Sequence, residues 1–249
     1  KSEIGFDNFN LYNEKIYFNK EKRIVIVYSG GDDVFLAGYW LDVIDFAFDL
    51  REAFRKYTNN KLTFSAGIGF FHHKYPISKM AEQTGELEEL AKENKYNGIE
   101  KDSISLFGIP YKFSNKKEKT NKNNKFNYCF NWEEFKRVTE KINKILSLCY
   151  FDEDINDEAK KDKIFFSTSF MYRIKQLISL NDKINIVRLA YALGRIKSTG
   201  SEEYEKNYND FKNCIYGWLI DENEIKYLNT ALDLIIYLFR NDTKDKTDI

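Results

Sequence analysis

"IVIVYSGGDDVFLAGYW", residues 24–40, decides how this chain is read. An apolar run ends at Ser29, Gly30 and Gly31. Asp32 and Asp33 then stand side by side, and apolar sequence resumes at Val34. Two β-rich segments, 23–29 and 33–39, flank the glycines, and this predicts a hairpin. Gly followed by Asp is also ordinary turn chemistry. The paired acids ask for more than a turn. Neighbouring like charges repel, and a carboxylate drawn between strands that want burial is disfavoured without a partner. A divalent cation removes both difficulties, because hard ions take carboxylate oxygens and keep waters and phosphates as further ligands. Glycines at 30 and 31 leave the backbone open to a triphosphate. Adjacent residues of a regular strand point to opposite faces, so both acids serve one ion only if the turn departs from regular pairing. The pattern favours a metal–nucleotide site over a bare turn.

The sequence around the hairpin is organised as a small α+β unit. Apolar residues at 43, 44, 46, 47, 50, 53 and 54 mark a helix over 41–57. "KLTFSAGIGFF" (61–71) reads as a strand, and after Pro76 a helix with Ser78 as its N-cap is expected to run to about 94. "SISLF" (103–107) is the last strand, so the order is β-β-α-β-α-β. The stretch 114–125, "SNKKEKTNKNNK", reads as a solvated linker, or less plainly as a basic loop beside RNA phosphates. Beyond it the period becomes helical. Trp132, Phe135, Val138, Ile142, Ile145, Leu146 and Cys149 form one face, and Asn131 and Glu134 have capping-box spacing. Further stripes at about 168–180, 183–197, 204–220 and 222–240 predict a bundle of about five helices. The expected domains are 1–110, a linker at 111–125, and 126–249.

Composition narrows the function classes. The 249 residues carry 39 basic and 39 acidic side chains, so overall charge selects no nucleic-acid or acidic partner. No apolar run approaches a membrane span of ~20 residues, and no signal-like segment opens the chain. A start at Lys1 suggests a piece of something longer. Cys129, Cys149 and Cys214 are scattered and odd in number, which argues against a disulfide framework or a zinc site and for a reduced, cytoplasmic compartment. His72 and His73 are the only histidines, which excludes an HExxH motif and argues against a histidine-rich catalytic or metal site.

"VYSGGDDVFLAG" (27–38), followed by a helix, by "LTFSAGI" (62–68) and by a Pro-Ile-Ser helix start (76–78), resembles the large catalytic subunit of type III CRISPR–Cas complexes in its Csm-type form. The resemblance covers a GGDD palm at about 20–108 and a helical C-terminal domain at 126–240, including "VRLAYALGRI" (187–196). It implies a ferredoxin-like palm, truncated here, followed by an all-α bundle. In that family the palm makes cyclic oligoadenylates from ATP with Mg²⁺ or Mn²⁺ when target RNA is bound. Carried over, Asp32 and Asp33 would hold the metal, and Ser29, Gly30 and Gly31 would shape the turn under the triphosphate. Ser65 would contact the nucleotide, and Lys92 or Lys95 would neutralise phosphate. The implied partners are other subunits of the complex, guide RNA and target RNA, with no membrane.

This chain also departs from the family. No nuclease domain or first palm is visible, and His72-His73 is not followed by Asp. "GFDNFN" (5–10) only faintly echoes the family's acidic first strand, so a surface position for Asp7 is the plainer reading. The segment 91–101 is longer and more acidic than the family's basic turn. Two other functions stay open: a module that binds nucleotide and docks subunits or RNA without turnover, and a GGDEF-type cyclic-dinucleotide cyclase, from which Asp in place of Glu departs.

Other residues have plainer readings beside functional ones. Trp40 is a core aromatic or an adenine platform, and 165–172 is bundle core or a base-stacking stripe. Arg188 and Arg195 are a solvated face or a phosphate-contacting pair.

Overall fold

The computed structural model describes residues 22–107, 128–150, 162–179, 183–196 and 201–241. Asp7 and the 111–125 stretch lie outside them. The chain divides into two compact units, 1–136 and 137–249.

The hairpin is formed as the sequence predicts. β1 (Ile24–Gly30) pairs antiparallel with β2 (Asp33–Gly38), and the last pair is Gly30 with Asp33. Gly31 and Asp32 are therefore a two-residue loop. Gly31 has φ 62°, a conformation that costs glycine no Cβ clash. The register shifts between Ile26 and Tyr28, so Val27 is an extra residue, a bulge that adds local twist.

α1 (Trp40–Tyr57) follows and buries Leu41, Ile44 and Ala47. Its acidic face anchors the strand entry. Asp42 accepts from the Arg23 backbone N–H at 3.0 Å and from Nε at 2.9 Å, and Lys22 sits 2.5 Å from both Asp45 and Asp49.

The strand expected over 61–71 shrinks to β3 (Ala66–Ile68). α2 (Ile77–Glu93) takes Pro76, not Ser78, as its N-cap, with no side-chain cap bond. Proline's fixed φ suits that entry, and Ser78 falls inside the first turn. β4 (Lys95–Tyr96) and β5 (Ile99–Glu100) form a minute hairpin that the sequence reading missed. Its turn, Asn97-Gly98, has φ 50° and 81°, the positive pair that Asn-Gly favours.

β6 (Ser103–Leu106) then pairs parallel with β3 and antiparallel with β7 (Cys129–Asn131), giving the order β3-β6-β7. Among the described residues the strands of this unit thus form three sheets, with the β1–β2 ribbon separate from the β3–β6–β7 sheet. The unit is mixed α/β. A ferredoxin-like strand order is a finer statement than these pairings make.

The second unit is mainly helical. Its described helices are α3 (Phe135–Leu148), which begins in the first unit, α4 (Thr168–Ser179), α5 (Lys183–Gly194), α6 (Glu202–Ile220) and α7 (Glu222–Asn241). A two-strand parallel pair, β8 (Cys149–Tyr150) and β9 (Ile164–Phe165), accompanies them. The predicted apolar face of α3 is buried at Phe135, Val138, Ile142 and Ile145, while Leu146 is half-buried and the buried Cys149 falls in β8. Asn131 and Glu134 cap its entry reciprocally: the Glu134 carboxylate accepts from the Asn131 N–H, and Asn131 Oδ1 accepts from the Glu133 N–H, both at 3.0 Å. α6 starts on Ser201, whose hydroxyl accepts from the Tyr204 N–H, and Glu202, Glu203 and Glu205 complement the helix dipole. Among the described residues no helix is long and apolar enough to cross a membrane.

Candidate functional site

The turn built by Gly30 and Gly31 presents Asp32 in the loop and Asp33 as the first residue of β2. Asp32 therefore lies outside the ladder and Asp33 within it, so strand alternation does not by itself send their side chains to opposite faces. The electrostatic expectation is corrected. Asp32 and Asp33 are both exposed, and so are Val25, Ile26, Val27, Tyr28 and Val34 around them. The acids are not held in low dielectric here. Neither carboxylate makes a hydrogen bond or ion pair among the described residues, although the Asp33 backbone pairs with Gly30. Two unengaged carboxylates at a glycine turn suit a hard cation chemically. Yet among the described residues no three potential ligands gather into a metal cluster, so these two acids could supply only part of a coordination shell. The rest would come from substrate phosphates and water.

Ser29 pairs with Val34 in the ladder and is exposed. Gly30 lies under the Tyr28 side chain: a Cβ added at Gly30 would stand 2.7 Å from the phenolic oxygen. Sequence reasoning did not single out Tyr28. The bulge at Val27, invisible in the sequence, sets its register.

Ser65 immediately precedes β3. Its hydroxyl is buried and has no hydrogen-bond partner among the described residues. A buried, unsatisfied hydroxyl is uncommon in a folded protein and asks for an explanation. The carbonyl of Phe64, just before it, accepts a hydrogen bond from the Trp132 indole N–H at 2.8 Å.

The two lysines are engaged with their own acids. Lys92 contacts Glu88 at 2.8 Å and Glu89 at 3.5 Å along α2, and the hydrogen bond to Glu88 chiefly raises its pKa. Lys95 pairs with Glu100 across the β4–β5 hairpin, and this contact holds the exposed Glu100 carboxyl below its ordinary range. No contact among the described residues joins either lysine to the Asp32–Asp33 turn.

Trp40 opens α1, is half-buried, and packs on Phe70 with centroids 5.7 Å apart. His72 and His73 are exposed, and His72 Nδ1 accepts from the Lys74 N–H. In 165–172, Phe166 and Met171 are buried while Phe165 and Tyr172 are half-exposed. Arg188 and Arg195 are exposed on and just after α5, and Arg195 reaches the Tyr191 hydroxyl at 3.4 Å.

Comparison with known proteins follows the same two-part division. Residues 5–105 match the family described as Cas10/Cmr2, second palm domain. Residues 150–241 match the second helical domain of the CRISPR RNA silencing complex Cmr2 subunit. The chain is 37% identical over 237 residues to a Streptococcus thermophilus protein named CRISPR system single-strand-specific deoxyribonuclease Cas10/Csm1 (subtype III-A), covering 92% of this chain and 27% of that protein. Proteins of the same name match at 37% identity in Enterococcus italicus, covering 89% of this chain and 24% of the relative, and at 34% in Mycobacterium tuberculosis, covering 91% and 24%. The chain thus spans about a quarter of these relatives. A solved structure, a Csm1–Csm4 cassette in complex with one ATP, shares the fold with a TM-score of 0.52 at 22% identity, over 87% of this chain and 27% of that one.

Proposed function

The chain belongs to the Cas10/Csm1 family, as its C-terminal portion, and on that premise we propose that it is the nucleotidyl-transferring part of a type III-A interference complex in the cytoplasm. In this reading it joins ATP into cyclic oligoadenylates when the complex holds target RNA, and the palm completes a ferredoxin-like sheet.

The observation that carries the reading is the turn. Two exposed, unengaged carboxylates sit at the tip of a glycine hairpin, inside the segment that matches a palm domain. Asp32 and Asp33 would hold Mg²⁺ or Mn²⁺ shared with the triphosphate. Such ions neutralise the charge on the attacking and leaving oxygens of an in-line displacement. Gly31, where an added Cβ would meet nothing within 4 Å, leaves the backbone clear for phosphate, and Gly30 shapes the turn beneath the Tyr28 ring. The Ser65 hydroxyl, buried without a partner among the described residues, suits a nucleotide hydrogen bond. Lys92 or Lys95 would neutralise phosphate after release from its present acid. In the reaction a 3′-hydroxyl forms a bond to the α-phosphorus and gives its proton to solvent, the α–β bridging bond breaks, and pyrophosphate leaves. With few groups moving protons, the rate rests on positioning and charge.

The test is the full-length subunit in its complex with ATP, Mn²⁺ and target RNA. Asp32→Ala with Asp33→Ala should abolish cyclic product, and undiminished product rejects the assignment. A second reading is a module that binds nucleotide and docks subunits or guide RNA without turnover. It is favoured by the paired state of Lys92 and Lys95 and by the two-acid ligand set. ATP binding by the intact complex with no product would select it. A GGDEF-type cyclase is the weaker alternative, and preference for GTP would revive it.

A further inference from the structure

We propose that Trp132 is a positioning residue for the nucleotide site, acting through the Phe64 carbonyl on Ser65. The proposal rests on the reading above that Ser65 contacts the nucleotide.

Phe64 and Ser65 lie before β3 begins at Ala66, so the peptide between them sits outside the strand. What holds that peptide is a donor from 68 residues away: Trp132 Nε1–H gives a 2.8 Å hydrogen bond to the Phe64 oxygen. That carbonyl belongs to the same rigid peptide plane as the Ser65 nitrogen, so fixing one fixes the other. The direction in which the Ser65 side chain leaves the backbone follows from that plane.

The donor is itself immobilised. Trp132 is 1% exposed. Phe48 of α1 packs edge-on against its ring with centroids 4.8 Å apart, Phe64 lies at 5.9 Å, and the Arg51 guanidinium is 5.5 Å from its centroid. Its backbone N–H reaches the Asp102 carbonyl at 3.4 Å. The indole has a single polar atom, and that atom is spent on Phe64. A rigid aromatic with one donor, aimed at the residue before a buried and unpartnered hydroxyl, does more than fill space. It sets the position of a group left free to bind something else.

The test uses the full-length subunit in its intact complex, with ATP, Mn²⁺ and target RNA. Trp132→Phe keeps an aromatic ring and removes the donor. It should raise the KM for ATP about threefold to tenfold, the range expected for one lost hydrogen bond, with kcat within about twofold. A two-site cycle with Ser65→Ala adds the readout that a purely structural role would not move. Once Ser65 is alanine, Trp132→Phe should raise KM no further. If Ser65→Ala raises KM while Trp132→Phe does not, or if the two effects multiply, the positioning role is overturned and the nucleotide-site reading stands. If Ser65→Ala leaves KM unchanged, the nucleotide reading at Ser65 fails and takes this proposal with it. Should Trp132→Phe fail to assemble, benzothienylalanine at 132 keeps the ring shape and replaces only the N–H with sulfur, and the same KM outcomes decide.

Discussion

Arg51 and Asp102 form a two-pronged ion pair: Nε donates to Oδ1 at 3.1 Å and Nη2 to Oδ2 at 2.7 Å. Arg51 lies on α1 and is 4% exposed, while Asp102, at φ 48°, leads into β6. The Asp102 carbonyl also accepts from Asn131 Nδ2 at 2.9 Å. One residue therefore ties α1 to two strands of the sheet. Arg51→Met keeps most of the apolar stem and strands the carboxylate. Removing one partner of a buried pair is costly, so the variant should lose about 3 kcal/mol. Urea unfolding of the full-length subunit checks this, and a loss under about 1 kcal/mol would show that the pair only decorates the surface.

The two acids proposed to hold the metal should behave in the opposite way. Asp32 and Asp33 are exposed and unengaged among the described residues, so replacing each with alanine should leave stability within about 0.5 kcal/mol while product formation stops. Gly31→Ala adds a Cβ at φ 62° and should cost about 1 kcal/mol of local strain. Gly30→Ala meets only the far end of Tyr28, which can swing aside, and should cost less. Thermal melts of the four variants, run beside ATP turnover, separate the two roles.

Much of this could be read from the residues. The apolar runs around Gly30-Gly31 and the 3.6-residue stripe after Trp40 gave β1, β2 and α1 to within a residue or two. The rest depended on contacts far apart in sequence. β3 is short because only Ala66–Ile68 lies beside β6, a fact no local pattern carries. Trp132 has the spacing of a helix face, yet it precedes α3 and packs on Phe48 and Phe64. The β4–β5 hairpin did have a local signal, Asn97-Gly98, hidden inside a charged stretch that reads as a loop. At the site, the acids and glycines were legible because their chemistry is local. The exposure of the flanking strands was not, because burial depends on what covers them.

Gly67 marks where α2 meets β3. A Cβ there would lie 2.4 Å from the Glu88 nitrogen and 2.5 Å from the Thr84 oxygen. Both are backbone atoms of α2, so no side chain can rotate away. Gly67→Ala should push the helix off the strand and cost about 3 kcal/mol. Gly85, on the same helix, has nothing within 4 Å of its ideal Cβ. Gly85→Ala should instead stabilise by about 0.5–1 kcal/mol through helix propensity. Chemical denaturation midpoints of the two alanine variants should therefore move in opposite directions.

Lys141 makes stability depend on pH in an unusual direction. Its side chain on α3 is 5% exposed, between the Trp218 ring at 4.7 Å and the Glu224 carboxylate, which Arg137 shares. Burial first, and then the neighbouring Arg137 charge, push its ammonium down to about 8 from an ordinary 10.5, against the weaker pull of Glu140 and Asp221. A lysine lowered on folding binds fewer protons folded than unfolded between those two values. Unfolding then takes up protons, so this group's contribution to stability rises as pH climbs from about 8 to 10.5. Below about 8 the full cost of holding a buried cation is present. Lys141→Met removes that cost and leaves Glu224 to Arg137. The variant should gain on the parent near neutral pH, and the gap should shrink through the alkaline window. Comparing parent and variant at each pH cancels the tyrosines and other groups that titrate there. A difference in urea midpoint that stays flat from pH 7.5 to 10 would mean that Glu224 holds Lys141 charged across the whole range.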